Sequence, residues 1–303
     1  MNVHTLLDDA TVALSSLFLT GNKFFADSIE TDPIIDVVTD TPSPDLSPIA
    51  LTTPADPETV TVDTPNGTYE AAYAAWDWKR PSLPTIVFHH GSGENPFGEG
   101  RFDTSSVDRL FADSSDVNAN IVAVRAPFHG RSAREYARAM TDLADFVGML
   151  VSSTAVVEAL VSQLHAQGAP AVIVSGISLG GWVSTLHQAT HDSAELYAPI
   201  FAGDRLGEMF AASAYRRMTG PLAKENPEAL RQALDYREAY AESNSPTRPL
   251  LARYDRIIEF GVQQPAFDPA ERTVIDYGHV TGSLQTEQLR EHVIRAMVEA
   301  PGR

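Results

Sequence analysis

The chain has 303 residues, with 40 acidic side chains against 22 basic ones and a formal net charge of −18 at pH 7. A surface that acidic repels nucleic acid and anionic membranes, so neither is expected as a partner. No cysteine is present, which excludes disulfides and thiolate metal sites and fits a cytoplasmic setting.

Only Lys23, Lys79 and Lys224 are lysines. Acidic excess with arginine in place of lysine suits a protein kept soluble in concentrated salt, where repulsion is screened and hydrated carboxylates resist salting-out. A chain with such a halophilic-like surface is expected to lose structure on dialysis into low salt, and unchanged circular dichroism after that dialysis would refute the salt-adapted reading.

Thr5 to Phe25 reads as an amphipathic helix packed on the domain. Its polar residues are not basic, and Asp8 and Asp9 precede its most apolar run, Val12 to Leu19, where a secretory signal would carry positive charge. No stretch is expected to approach the ~20 apolar residues of a membrane span. Thr31 to Pro57 is dense in Pro, Thr, Ser and Asp and reads as a linker or extended surface segment. Residues 1–57 are thereby set apart from a catalytic unit over 58–303.

Thr59 to Asp63 and Thr68 to Trp76 are predicted strands of a hairpin turned at Pro65-Asn66-Gly67. Pro84 to His89 is a buried strand running into His90-Gly91-Ser92-Gly93. Ile121 to Arg125 is another, ending in Ala126-Pro127-Phe128-His129-Gly130-Arg131-Ser132. Arg134 to Gln167 has helical composition and is expected as two helices split near Val151 to Thr154. Ala171 to Ser175 is an apolar strand, followed by Gly176-Ile177-Ser178-Leu179-Gly180 and a helix over Gly181 to Thr190. Strand, helical crossover and strand in succession imply parallel units of an α/β fold.

Glu195 to Ala202 is the next strand. Residues 204–245 then turn helical with interruptions at Gly220-Pro221 and Pro227, an insertion most simply read as a lid. Pro249 to Arg253 leads to Asp255, Arg272 to Asp276 leads to Tyr277-Gly278-His279, and Leu284 to Val298 closes the chain as an amphipathic helix.

The chemistry resides in three of these loops. G-x-S-x-G between a buried strand and a helix presents a serine hydroxyl at a bend too tight for neighbouring side chains, making Ser178 the expected nucleophile. A serine needs an imidazole to take its proton and a carboxylate to orient that imidazole. Asp255 and His279 follow Ser178 in chain order, each after a predicted strand, so the three loops converge at one edge of a parallel sheet. Asp204, after the strand that precedes the lid, stands as the alternative acid. Backbone N–H groups of Ser92 and Leu179 are expected to hold a developing oxyanion. His90, Gly91, Gly93 and His129 are expected beside the substrate. His187 and His191 lie four apart on a helix, where a surface pair is the better reading than a metal site because a third ligand is not evident.

His90-Gly91-Ser92-Gly93, Pro127 to Ser132, Gly176 to Gly180, Asp255 and Gly278-His279, in that order, make the chain resemble the α/β-hydrolase superfamily from roughly Thr59 onward. The resemblance implies a mostly parallel eight-stranded sheet with helices on both faces, Ser178 as nucleophile, Asp255 as acid, His279 as base, and no cofactor. Ala252-Arg253-Tyr254-Asp255 departs from the pattern by lacking a glycine before the acid. The expected function is serine hydrolysis of an ester or related acyl bond on a small-molecule substrate. A ligand-binding homologue without turnover, and a peptidase or acyltransferase using the same residues, remain the alternatives.

Overall fold

In the computed structural model, residues 2–19, 21–49, 56–98 and 105–302 are described; residue 20 of the expected first helix and residues 50–55 of the expected linker lie outside the described residues. The described residues form a single eight-stranded sheet, its central strands rich in Val and Ile. Its strands are β1 (Glu58–Thr64), β2 (Gly67–Asp77), β3 (Thr85–His89), β4 (Asn120–Arg125), β5 (Val172–Ile177), β6 (Leu196–Ile200), β7 (Leu250–Ala252) and β8 (Thr273–Ile275). The spatial order is β1-β2-β4-β3-β5-β6-β7-β8. β2 runs antiparallel to both of its neighbours, and every other pairing is parallel.

The central strands are buried on both faces, which is why they are largely apolar rather than alternating. Their side chains still divide with a period of two. Val87, Val122, Val172 and Val174 join one core layer, while Ile86, Phe88, Ile121 and Ile173 join the other.

Thirteen α-helices occur among the described residues. They are α1 (Val3–Phe18), α2 (Ile34–Thr39), α3 (Ser106–Phe111), α4 (Ala133–Ala139), α5 (Leu143–Ala166), α6 (Leu179–Thr190), α7 (Leu206–Ala211), α8 (Pro221–Glu225), α9 (Pro227–Leu234), α10 (Arg237–Ala241), α11 (Phe260–Gln263), α12 (His279–Ser283) and α13 (Thr286–Glu299). α5 and α6 cover one face of the sheet, and α3 and α13 cover the other.

Four expectations need correction. The first helix ends at Phe18 rather than Phe25, and Phe24 and Phe25 instead enter the core against Phe146 and Phe210. The segment read as linker contains α2, started by Pro33, whose Ile34, Val37 and Val38 have helical spacing and are buried. The break between helices falls at Met140–Asp142, where the Asp142 side chain caps α5 by accepting from Ala144 N–H at 2.8 Å. The Ser153 and Thr154 hydroxyls do not interrupt α5 because they donate to the carbonyls of Met149 and Leu150 at 2.9 and 3.0 Å. Finally, α5 is long and apolar enough to cross a bilayer by length and composition, but 83% of its most apolar window is buried inside the fold.

Parallel register decides where the site forms. His89 at the end of β3 pairs with Gly176 at the end of β5, and Ile177 pairs with Ile200 of β6. The loops after β3, β5, β6, β7 and β8 therefore leave the sheet along one edge.

Candidate active site

At the end of β5 the chain turns through Ser178 with φ 54° and ψ −107°, a conformation that a residue bearing a Cβ adopts only under strain. The neighbouring glycines are required by close backbone approach. A Cβ on Gly176 would lie 2.5 Å from the Gly180 backbone, one on Gly180 would lie 2.1 Å from the His89 carbonyl oxygen, and one on Gly181 would lie 2.6 Å from the Ile200 carbonyl oxygen. Gly180→Ala should therefore destabilise the protein by about 1–3 kcal/mol, read as a lower urea midpoint with an unchanged slope. A wild-type midpoint would contradict this packing.

The hydroxyl of Ser178 lies 3.1 Å from His279 Nε2, and His279 Nδ1 lies 2.7 Å from Asp255 Oδ2. A carboxylate only accepts, so in the neutral ring Nδ1–H donates to Asp255 and Nε2 accepts from Ser178. The other carboxylate oxygen of Asp255 accepts from the backbone N–H groups of Ile257 and Ile258 at 2.8 and 2.7 Å. Burial pulls the His279 imidazole toward the neutral form, but the Asp255 charge and hydrogen bond outweigh it and raise its pKa above the ordinary value. Burial likewise raises the Asp255 carboxyl, offset in part by His279 and the Ile258 N–H.

Asp204, the alternative acid, does not bond to His279; the carboxylate at Nδ1 is that of Asp255. Burial lifts the Asp204 carboxyl from 3.8 to about 6, and burial also lifts nearby Asp235 to about 6. The folded state then binds more protons than the unfolded chain between those values, so this pair makes stability fall as pH rises from 3.8 through about 6. Asp204→Asn should accordingly raise the urea midpoint at pH 8 and lose that advantage near pH 4. An equal effect at both values would refute a titrating Asp204.

The loop after β3 is held from several sides. Glu94 Oε2 accepts from Gly91 N–H at 3.1 Å and from the backbone N–H and hydroxyl of Ser106 at 2.8 and 2.5 Å, while Oε1 pairs with Arg109 at 3.0 Å. The Ser92 hydroxyl shares a 2.9 Å hydrogen bond with Tyr136. Gly91 N–H is thus occupied, as is Ser178 N–H, which donates to Ile200 O at 2.9 Å. Among the described residues, no acceptor engages the N–H of Ser92 or of Leu179.

A cavity of about 360 Å³ opens over Ser178 and His279. Gly91, Ser92 and Leu179 line it, together with Phe24, Phe146, Trp182, Met209, Phe210 and Tyr215. The expectation for His90, Gly93 and His129 is corrected: none of them forms its wall. Both histidines are buried, His90 stacking against His89 and His129 packing edge-on against His90. Burial pushes the His129 imidazole down to about 4 and holds His90 well below its ordinary value. His90 Nε2 accepts from Ala126 N–H at 3.0 Å, so its Nδ1–H donates to Gly91 O at 2.6 Å and props the loop from behind. His187 is buried rather than on a helix surface, its ring nitrogens bonded to Tyr197 and Glu158 at 2.9 and 3.0 Å.

Sequence reasoning missed Glu94, Tyr136 and the aromatic wall. Glu94 directly follows the glycine-rich loop and was the one readable signal. Phe24 and Phe146 stand far apart in sequence with no pattern linking them.

A model of the alpha/beta hydrolase family matches residues 86–297. An acetyl xylan esterase from Paenibacillus sp. R4 superposes with a TM-score of 0.56 at 14% identity, covering 94% of this chain and 94% of that one. Acetyl xylan esterase 1 from Thermoanaerobacterium sp. JW/SL YS485 gives 0.54 at 14% identity, over 88% of this chain and 96% of that one. The uncomplexed acylaminoacyl peptidase of Pyrococcus horikoshii gives 0.54 at 15% identity, over 82% of this chain but only 41% of the peptidase. No curated protein sequence matches the chain.

Proposed function

The chain belongs to the alpha/beta hydrolase family, and from that premise we propose that it is a serine hydrolase cleaving an ester or related acyl bond through an acyl-enzyme on Ser178. One observation carries the proposal. Asp255, His279 and Ser178 form an unbroken hydrogen-bonded line of 2.7 and 3.1 Å that ends in the wall of a largely apolar cavity.

In this mechanism the Ser178 hydroxyl attacks the substrate carbonyl while its proton passes to His279 Nε2. The carbonyl oxygen gains the negative charge and is held by the N–H groups of Ser92 and Leu179, worth about 3–4 kcal/mol each in comparable sites. Collapse breaks the bond to the leaving alcohol, which takes the proton from His279. His279 then removes a proton from water, whose oxygen attacks the acyl-enzyme, and the second collapse releases the acid while His279 returns that proton to the Ser178 oxygen. Asp255 holds one imidazole tautomer and stabilises the transient imidazolium.

Phe24, Phe146, Trp182, Phe210 and Tyr215 favour an apolar group of modest size on the substrate, because about 360 Å³ lies at the small end of ligand cavities. Met209, Phe210 and Tyr215 come from the helical segment after β6, so that segment is proposed to act as the lid. The test is reaction with a fluorophosphonate followed by mass mapping, with turnover of a series of p-nitrophenyl esters measured in parallel. An adduct on the peptide containing Ser178 and saturable turnover are expected. An unmodified Ser178 would overturn the assignment.

A further inference from the structure

The buried face of α1 carries a charge. Asp8 is fully buried, whereas Val3, Leu7, Leu14 and Leu17 of the same helix are exposed. A carboxylate taken out of water needs compensation, and Asp8 receives it from three backbone N–H groups. Oδ2 accepts from Arg256 at 3.1 Å and from His279 at 2.8 Å, and Oδ1 accepts from Val280 at 2.9 Å. One oxygen atom thus joins the loop that carries Asp255 to the loop that carries His279. The fit is close: a Cβ on Gly278 would lie 2.8 Å from Asp8 Oδ2.

One turn earlier on the same face, His4 repeats the bridge. Its Nδ1 shares a 2.9 Å hydrogen bond with the Thr281 hydroxyl, and its ring stacks on Tyr254 at 6.0 Å and meets Tyr277 edge-on at 5.2 Å. Tyr254 and Tyr277 belong to the same two loops and are themselves joined, Tyr254 N–H donating to Tyr277 O at 2.9 Å.

We propose that Asp8 is a positioning residue of the active site, a carboxylate supplied by the N-terminal helix that clamps the acid and base loops together and places a second negative charge behind the His279 imidazole. The proposal rests on the serine-hydrolase reading for its kinetic consequence but not for its electrostatic one. Asp255, from the loop after β7, and Asp8, from α1, are the charged groups that act on the ring. Toward β6 it meets the Phe201 ring at 5.5 Å, and toward β5 the Ser178 hydroxyl. The Asp8 charge adds to that of Asp255 in holding the imidazolium, and its grip on the backbone fixes where Nε2 stands relative to Ser178.

The experiment uses the full chain with Asp8→Asn, Asp8→Glu and, as a control for net charge, Asp9→Asn. Asp9 faces Arg217 and Arg256 at 3.6 and 3.9 Å rather than the histidine loop. In Asp8→Asn the His279 ring, followed by NMR titration, should titrate at lower pH than in wild type. Amide exchange at Arg256, His279 and Val280 should accelerate, and kcat on a p-nitrophenyl ester should fall by about 10²-fold with KM unchanged. Asp8→Glu should restore the titration and part of kcat, and Asp9→Asn should change neither.

A folded Asp8→Asn with wild-type titration and kcat, or an equal shift in Asp9→Asn, would overturn the proposal. If Asp8→Asn does not fold, Asp8→Glu decides: a lower kcat at unchanged KM supports the clamp, and wild-type kcat refutes it. A wild-type protein inert toward esters would sink the hydrolase reading, while the titration and exchange measurements would still decide the role of Asp8.

Discussion

Ser178→Ala should lower kcat on a short p-nitrophenyl ester by about 10⁴-fold or more and abolish fluorophosphonate labelling. On the proposed mechanism the variant loses the oxygen that forms the acyl bond, yet keeps the cavity, the glycines of the turn and the N–H groups of Ser92 and Leu179. Substrate binding should therefore survive, and KM should change far less than kcat. Ser178→Gly should be equally inactive and, in addition, more stable than Ser178→Ala by about 1 kcal/mol, because φ 54° and ψ −107° strain any residue with a Cβ. Retained labelling of Ser178→Ala would mean that another nucleophile does the chemistry. Equal stability of the two variants would mean that the turn relaxes.

The second large effect is expected for Asp255→Asn, with kcat lower by about 10⁴-fold. An amide at 2.7 Å from Nδ1 either presents its own N–H there or leaves the imidazole free to take the wrong tautomer, so Nε2 no longer accepts from Ser178. The pH profile gives a second reading. In wild type, kcat/KM should rise with pH as His279 loses its proton, at a pKa above the ordinary imidazole value, because the base works only when neutral. Without the Asp255 charge, burial is the dominant influence left on the ring, and the acid limb should move down. A limb that stays in place in Asp255→Asn would show that His279 is not the titrating base, or that Asp255 does not hold it.

Chain order points to the loops after β7 and β8, but the closeness of Asp255, His279 and Ser178 depends on sheet register. β7 and β8 have only three residues each, Leu250–Ala252 and Thr273–Ile275. Elements that short carry little periodicity of their own and are recognisable mainly by the turns that follow them. Likewise Asp255 and Asp204 looked alike as acids, since each follows a strand. They differ only in whether the loop turns back toward His279, which Asp255 does through its bonds to Ile257 and Ile258 N–H.

The α/β class, the strands of the sheet and the tight bend at Ser178 are legible in the chain, because those features are written locally in apolar runs and in glycines that backbone contact demands. The chain also held the ordered set of Ser178, Asp255 and His279, since loops at one edge of a parallel sheet lie near one another. Packing between distant segments set the rest. It turned Phe24, Phe146 and Phe210 into one cavity wall, buried His90 and His129 away from the cavity they were expected to line, and buried Asp8 beneath His279. Such choices depend on which face of a helix meets the domain. Asp8 shows why a pattern could not reveal it: a carboxylate on a surface and one satisfied by three buried N–H groups are the same letter, distinguished only by the backbone that folds over it.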